Sequence, residues 1–504
     1  MAGRRVSPTR HNHFMAAVAA PTTTRPHTRA SALELAAAIR AGEASAREVV
    51  EAHVELLERV NPRINAVVGE RFDAARAEAD AADERIAAAA LGDELPPLLG
   101  VPCTIKESFS LPGFSQCSGV AARRDHVCER AAPAVQRLLD AGAIPLGVTN
   151  TSELTLWVET DNRVYGRTSN PYDQSRTAGG SSGGEGAAIG AGASPFGLGT
   201  DLGGSIRLPA FFNGVFGHKP SRGLVPLTGH YPIPGEDSGR LSYAGPLARR
   251  AEDLMPLLRL LAGPDGEDPQ VPREVELGDP AEVSLDGLRV VVSKSGTLGP
   301  TGPELANARQ RAAGALAAAG ATVEHVSMKS MRRALEMYLA TLSSEAGTLR
   351  QLLEEAGAEV PTLRGALRRA SPHTVPTRIT LMVEARASLI MPERRVRKLL
   401  AARDAFTREL EDTIGDGVLL HPPAPRVAPK HGGTVGRVWW IHPVLVFNLT
   451  GLPVTQVPLG LDGAGLPLGV QVAARLGADH RTIAVAQELE RVFGGWTPPP
   501  LSAS

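Results

Sequence analysis

The sequence of 504 residues is short of cysteine, of net charge and of long apolar runs. Its 3 cysteines, Cys103, Cys117 and Cys128, show neither metal-ligand spacing nor an even count, which argues against a disulfide framework and a cysteine metal site. With 53 basic and 54 acidic residues the net charge is -1, so no overall field attracts nucleic acid. Because no apolar run reaches the roughly 18 residues of a membrane-spanning helix, we expect a cytoplasmic protein.

Residues 1–29 are rich in Arg, Thr, His and Pro, and their apolar run 14–20 is marginal for a signal peptide. We expect a disordered tail there, with Met15 as an alternative start. From residue 30 onward, helical and strand patterns alternate, which favours an α/β fold. Strands of one sheet come from both ends of the chain, so we predict a single domain over 30–504 with a mostly helical insertion at about 330–415.

Two helix starts are marked by capping boxes. Ser31 with Glu34, and Ser45 with Glu48, have the spacing at which a serine and a glutamate satisfy each other's backbone amides. The second helix is expected to stop at Asn61-Pro62, since proline has no amide hydrogen to donate.

Two glycine-rich patches, 179–184 and 203–205, each present a serine. A flexible linker is disfavoured because strand-forming residues such as those of 196–199 lie between the patches. A phosphate-binding loop is disfavoured because no Gly-Lys-Ser/Thr sequence follows. The favoured interpretation is a nucleophile site, in which the glycines preceding Ser205 let backbone amides surround an oxyanion.

The sequence near Ser205 offers no obvious histidine base. His218 and His230 follow it most closely and are interpreted as structural, and no G-x-S-x-G elbow is present. The remaining chemistry for a serine nucleophile uses a neutral lysine. Lys106 ends the strand-like run 99–106, although a lysine in that position is by itself more typical of a surface side chain.

The two patches, the V-P-x-x-x-K-E segment that contains Lys106, and the spacing between them together resemble the amidase signature family. The segment 209–220 is most similar to its fatty-acid amide hydrolase branch, second type. The resemblance implies one large domain with a central mixed β-sheet covered by helices on both faces.

The resemblance also implies a catalytic triad. Ser205 would be the nucleophile that forms an acyl-enzyme, Ser181, after a cis peptide bond, would be the relay, and Lys106 would be the base. A lysine acts as a base only when neutral, which requires burial, and Glu107 is expected to point away because its charge would oppose that state.

Further residues are implied around the triad, which needs neither cofactor nor metal. The backbone amides of four residues would form the oxyanion hole: Leu202, Gly203, Gly204 and Ser205. Three side chains would support the loops: Ser182, Asp201 and Arg207.

The expected substrate is a small linear amide with an apolar, fatty acyl chain, and no nucleic acid is expected as a partner. The alternatives are the glutamine-hydrolysing component of a tRNA amidotransferase and a non-catalytic binding protein of the same fold. The apolar segment 379–383 fits either an acyl channel or ordinary core. Peripheral membrane contact through the basic run at 394–398, and a homodimer, stay open.

Overall fold

The computed structural model describes residues 26–90, 92–232, 241–295, 297–345, 349–361, 371–384 and 391–503. Residues 1–25 of the predicted tail lie outside the described residues. His27–Arg29, which belong to the predicted tail, form a turn of 3-10 helix.

The described residues contain thirteen strands, eleven of which join one sheet. The strands are β1 Val67–Glu70, β2 Pro102–Lys106, β3 Ile144–Thr149, β4 Asp161–Asn162, β5 Gly166–Arg167, β6 Phe196–Asp201, β7 Phe216–Lys219, β8 Tyr243–Ala248, β9 Arg289–Ser295, β10 Thr322–Ser327, β11 Val418–His421, β12 Val454–Leu461 and β13 Pro467–Ala473.

The α-helices of the same residues flank this sheet. They are α1 Ala32–Arg40, α2 Ala46–Ile64, α3 Phe72–Ala88, α4 Pro133–Asp140, α5 Gly183–Gly190, α6 Arg207–Phe212, α7 Leu254–Leu261, α8 Pro303–Ala318, α9 Ala334–Glu345, α10 Leu349–Glu355, α11 Val375–Glu384, α12 Glu393–Ile414, α13 His442–Thr450, α14 Asp479–Phe493 and α15 Pro500–Ala503.

The sheet is mixed, in the order β1-β3-β2-β6-β8-β7-β12-β13-β11-β9-β10. Strand β2 runs parallel to both β3 and β6, whereas β8 pairs antiparallel with β6 and β7. Strands β12 and β13, from the end of the chain, lie between strands from its middle. The predicted α/β class with a mixed sheet is therefore confirmed. Strand β8, at the centre of the sheet, was not predicted.

The helix starts are as predicted, but one helix end is not. Both capping boxes form, with the amides of Glu34 and Glu48 donating to the preceding serine hydroxyls. The predicted stop at Asn61-Pro62 is wrong, because α2 continues to Ile64. A proline in the last turn removes a single hydrogen bond, while Ile64 is fully buried in the core. The helix ends instead at Asn65, which adopts a left-handed conformation.

The described part of 330–415 consists mainly of helices α9 to α12. On α9, the Tyr338 hydroxyl donates to the Leu202 carbonyl at 3.0 Å, so this segment contacts the loop before Ser205. On α11, Leu381 packs in an apolar cluster with Leu353, whereas Val383 is exposed. On α12, Arg395 is half exposed and pairs with Glu336. Across the described ranges, no helix is both long and apolar enough to cross a bilayer.

Candidate active site

Lys106 lies at the carboxyl end of β2 and is fully buried. Its Nζ donates to Ser181 Oγ and to Thr200 Oγ1, both at 2.7 Å. Among the described residues it makes no ion pair, so no carboxylate within contact distance stabilises its charged form. Burial lowers the pKa of Lys106 from 10.5 to about 7. The lysine can therefore be neutral near neutral pH, as a base must be.

Ser181 directly precedes the segment that starts α5, and the Gly180–Ser181 peptide bond is cis, as the resemblance implies. Gly180 has no room for a side chain, because an added Cβ would lie 2.8 Å from both the Trp157 carbonyl and the Glu159 amide. Close packing around Gly180 thus presents the Ser181 hydroxyl to Lys106.

Ser205 follows β6, and the residue is buried apart from a 4% exposed fraction. The amide of Ser182 donates to the Ser205 carbonyl at 3.3 Å, which joins the two serine loops. No hydrogen bond to the Ser205 hydroxyl occurs within the described residues. The structure therefore brings Lys106 and Ser181 into direct contact, whereas it leaves the Ser205 hydroxyl unbonded to Ser181.

The four amides predicted to form an oxyanion hole differ in their partners. The Gly204 amide donates to Asp201 Oδ1 at 2.7 Å, and it would have to release this carboxylate to bind an oxyanion. In the part of the chain that the structure describes, the amides of Leu202, Gly203 and Ser205 have no acceptor. The oxyanion role of all four stays a prediction.

Asp201 and Arg207 form an ion pair with both side chains fully buried. The guanidinium donates to both carboxylate oxygens, at 2.9 and 3.0 Å. Burial alone would raise the pKa of Asp201, but the charge and hydrogen bonds of Arg207 hold it well below its usual range. Asp201 also accepts from the amides of Gly204 and Ile206, so the pair braces the loop around Ser205.

Ser182 supports the same loop from the other side. Its hydroxyl donates to the Thr200 carbonyl at 3.2 Å, and the Thr200 amide lies 3.3 Å from the same hydroxyl. Of the predicted supporting side chains, Ser182 and Asp201 therefore contact the backbone of the nucleophile loop, and Arg207 contacts the loop through the Asp201 carboxylate.

Several side chains of the site were not predicted from the sequence. Thr200 is the second partner of Lys106, and its place beside Asp201, just before the second glycine-rich patch, was the only signal for it. Asn448 and Gln471 complete the hydrogen bonds of Arg207 from α13 and β13, and their distance along the chain gave no signal at all. Tyr338 belongs to the helical segment.

Three nearby titratable residues behave as the sequence indicated. Glu107 turns away from Lys106, and its carboxylate accepts from the amides of Cys117 and Ser118 at 2.7 and 2.8 Å. The His218 ring lies between Asp479 and Thr455, so it is structural. His230 is buried against Phe109 and is not a partner of either serine. In the described ranges, no group of three or more His, Cys, Asp or Glu could hold a metal ion.

The chain is similar to known proteins over most of its length. The profile of the Amidase family matches residues 48–483. Fatty-acid amide hydrolase 2-B of Danio rerio is 41% identical over 495 residues, which cover 95% of this chain and 92% of that protein. A glutamyl-tRNA(Gln) amidotransferase component of Synechococcus sp. (strain CC9605) is 31% identical over 92% of this chain and 96% of its own. The solved structure of 6-aminohexanoate cyclic dimer hydrolase, complexed with substrate, superposes with a TM-score of 0.79 at 26% identity and covers 94% of this chain and 99% of that one.

Proposed function

The chain belongs to the amidase signature family of amide-hydrolysing enzymes, and from this premise we propose that it cleaves linear amides through Ser205, Ser181 and Lys106. The observation that carries the proposal is the 2.7 Å contact between Ser181 Oγ and the buried Nζ of Lys106. A neutral amine in that position can take a proton from Ser181, and Ser181 can take one from Ser205.

The reaction would proceed in two halves. Ser205 Oγ attacks the amide carbonyl, and its proton passes through Ser181 to Lys106. The amides of Leu202, Gly203 and Ser205 are positioned on the same loop to bind the developing oxyanion. The proton then returns along the same path to the leaving nitrogen, which breaks the C–N bond and leaves an acyl-enzyme. In the second half, the same base activates a water molecule, which releases the acid.

We propose an apolar acyl chain for the substrate. The support is the 41% identity to a fatty-acid amide hydrolase, against 31% to the amidotransferase component. The nucleophile loop also carries apolar contacts, since Val444 packs against Gly204 and the half-buried Leu202 joins an apolar cluster.

The nucleophile is tested by Ser205→Ala with a fluorophosphonate probe. We expect wild-type enzyme to be labelled at one serine, and the variant to lose both labelling and turnover. Peptide mapping of the labelled site distinguishes the serines of the two loops. Labelling that persists on Ser181 or Ser182 in the variant would refute the assignment of Ser205.

The substrate class is tested with p-nitroanilides and ethanolamides graded from acetyl to long-chain acyl, with glutamine as a further substrate. The proposal predicts that kcat/KM rises with acyl length. Preference for glutamine, together with copurifying partner proteins, would support the amidotransferase alternative. Absence of turnover and of probe labelling would support a non-catalytic binding protein.

A further inference from the structure

Glu185 is a buried carboxyl group that the triad does not use. It lies in the first turn of α5, the helix that begins just after Ser181, and it is fully buried. Its oxygens accept from Thr104 Oγ1 at 2.6 Å and from Thr149 Oγ1 at 2.8 Å. Within the described ranges no cation pairs with it, so two neutral hydroxyls are its hydrogen-bond partners. A carboxylate in such surroundings is poorly stabilised, which favours the neutral acid.

The sheet places this carboxyl on the same face as the lysine side chain. Thr104 and Lys106 are two residues apart on β2 and therefore project to the same face. Thr149 is the Cα partner of Lys106 on β3. Helix α5 packs on β2, β3 and β6, so one helix start supplies Ser181 to Lys106 and Glu185 to the two threonines.

A gap in the neighbouring strand accommodates the carboxyl. Gly197 on β6 is the Cα partner of Thr104, and a Cβ added to it would overlap Glu185 Oε2. The absence of a side chain at Gly197 therefore makes room for Glu185 in the sheet surface, next to the strand that ends at Lys106.

We propose that Glu185 is a positioning residue that acts on Lys106 through its charge, so that the two groups hold one proton between them. With the proton on Glu185, the lysine is the free base that the reaction needs. With the proton on Lys106, the glutamate is ionised and stabilises the inactive ammonium. The inference rests on the proposed function, because it assumes that Lys106 is the base.

The other charges near Lys106 do not provide this exchange. Burial raises the pKa of Glu185 to about 8, which lies close to that of the lysine. By contrast, Asp201 stays ionised because Arg207 pairs with it, and burial lowers the pKa of His230 to about 3, so that the imidazole is neutral. Burial also raises the pKa of Glu107 to about 7, but its carboxyl is turned to backbone amides.

The test is the pH dependence of Glu185→Gln, measured in two ways. One readout is kcat/KM for an acyl p-nitroanilide, and the other is the rate of fluorophosphonate labelling at Ser205. Glutamine has the same shape but cannot become an anion, so protonated Lys106 loses its stabilising neighbour. We expect the acid limb of both profiles to move to lower pH by about one unit, with KM little changed. An unmoved acid limb in a folded Glu185→Gln enzyme would overturn the proposal.

Two further variants keep the test decisive. Thr149→Val removes one hydrogen-bond donor from the Glu185 carboxylate, so it should shift the acid limb in the same direction but by less. This variant replaces Glu185→Gln if Glu185→Gln fails to fold. Glu490→Gln is the matched control. Glu490 lies on α14 and pairs with Arg250, so its substitution should leave the pH profile unchanged. If Glu185 had only a structural role, Glu185→Gln would lower the melting temperature without moving either pH profile.

Failure of this inference differs from failure of the proposed function. If Lys106→Ala keeps wild-type activity on amides, the lysine is not the base and both ideas fall. If Lys106→Ala is inactive but Glu185→Gln has an unshifted profile, only the role of Glu185 falls.

Discussion

Two basic side chains of the site, Arg207 and Lys106, are fully buried, and their partners differ. Arg207 faces the carboxylate of Asp201 and further acceptors from Asn448 and Gln471. Within the described ranges, the hydrogen-bond partners of Lys106 are the hydroxyls of Ser181 and Thr200. A buried cation with a carboxylate stays charged, whereas one with neutral partners gives up its proton more easily. The same burial therefore suits a rigid brace at Arg207 and the proposed base at Lys106.

The choice of side chain follows from this difference. A guanidinium keeps its charge under all ordinary conditions and offers five donors in a fixed plane, which suits a brace. An ammonium has one nitrogen and a pKa that burial can move to the working range of an enzyme. We therefore expect changes at the two positions to have different consequences, one in rate and the other in stability.

The largest effect is expected at Lys106. Lys106→Ala removes the proton acceptor, and loss of a general base typically lowers the rate about 10²–10⁴-fold. The measurement is kcat/KM on an amide and on the ester of the same acyl group. Because an ester leaving group needs less help from a proton, the amide should lose more activity than the ester. Equal losses on both substrates would argue against a role for Lys106 in protonating the leaving nitrogen.

Disruption of the Asp201–Arg207 ion pair should act mainly on the stability of the protein. Asp201→Asn keeps the shape but leaves Arg207 as a buried charge without a counter-ion, which typically destabilises a protein by about 3–5 kcal/mol. Urea unfolding of the wild type and the variant measures this loss. Asp201→Asn combined with Arg207→Met removes the unpaired charge and should recover part of the stability. A loss under about 1 kcal/mol would show that the ion pair does not hold the loop.

The lowered pKa of Lys106 also predicts that the folding stability depends on pH. Its pKa is lowered in the folded chain to about 7, from 10.5, so between these values the unfolded chain holds a proton that the folded chain lacks. Folding stability must then rise with pH across this window. The slope for wild type should exceed that for Lys106→Met by up to about 1.4 kcal/mol per pH unit. Parallel curves from thermal unfolding at several pH values would mean that Lys106 keeps its charge when folded.

The sequence predicted the parts of the site that are local in the chain. The serine loops, Asp201 and Arg207 lie in or beside recognisable motifs, and Lys106 was identified through the family resemblance. The structure shows the contact of Lys106 with Ser181 that the resemblance implies, and it pairs Asp201 with Arg207, both of which were predicted to support the loop. The contacts that the sequence did not predict involve residues far apart along the chain, such as Asn448. A residue of α13 contacts Arg207 only because the sheet brings the end of the chain beside its middle.

Prediction of the fold was limited in the same way, by contacts between parts of the chain that are far apart in sequence. The alternation of helices and strands was predicted from the sequence, because apolar periodicity is a local signal. Strand β8 was missed because its residues 243–248 include a glycine and a proline, which have low strand propensity. It forms a strand because β6 and β7 pair with it on both sides. Similarly, Pro62 did not end α2, since burial of Ile64 outweighs one missing hydrogen bond.

The smallest expected effect separates two adjacent serines. Ser181→Ala removes the hydroxyl that contacts Lys106 and should lower the rate by orders of magnitude. Ser182→Ala removes a hydroxyl that contacts only the backbone of Thr200, and its own amide still donates to the Ser205 carbonyl. Loss of one neutral hydrogen bond should lower the free energy of unfolding by about 0.5–1.5 kcal/mol and leave the acid limb of the pH profile in place. If Ser182→Ala instead lowered the rate as much as Ser181→Ala, the proposed relay through the Ser181 hydroxyl would be overturned.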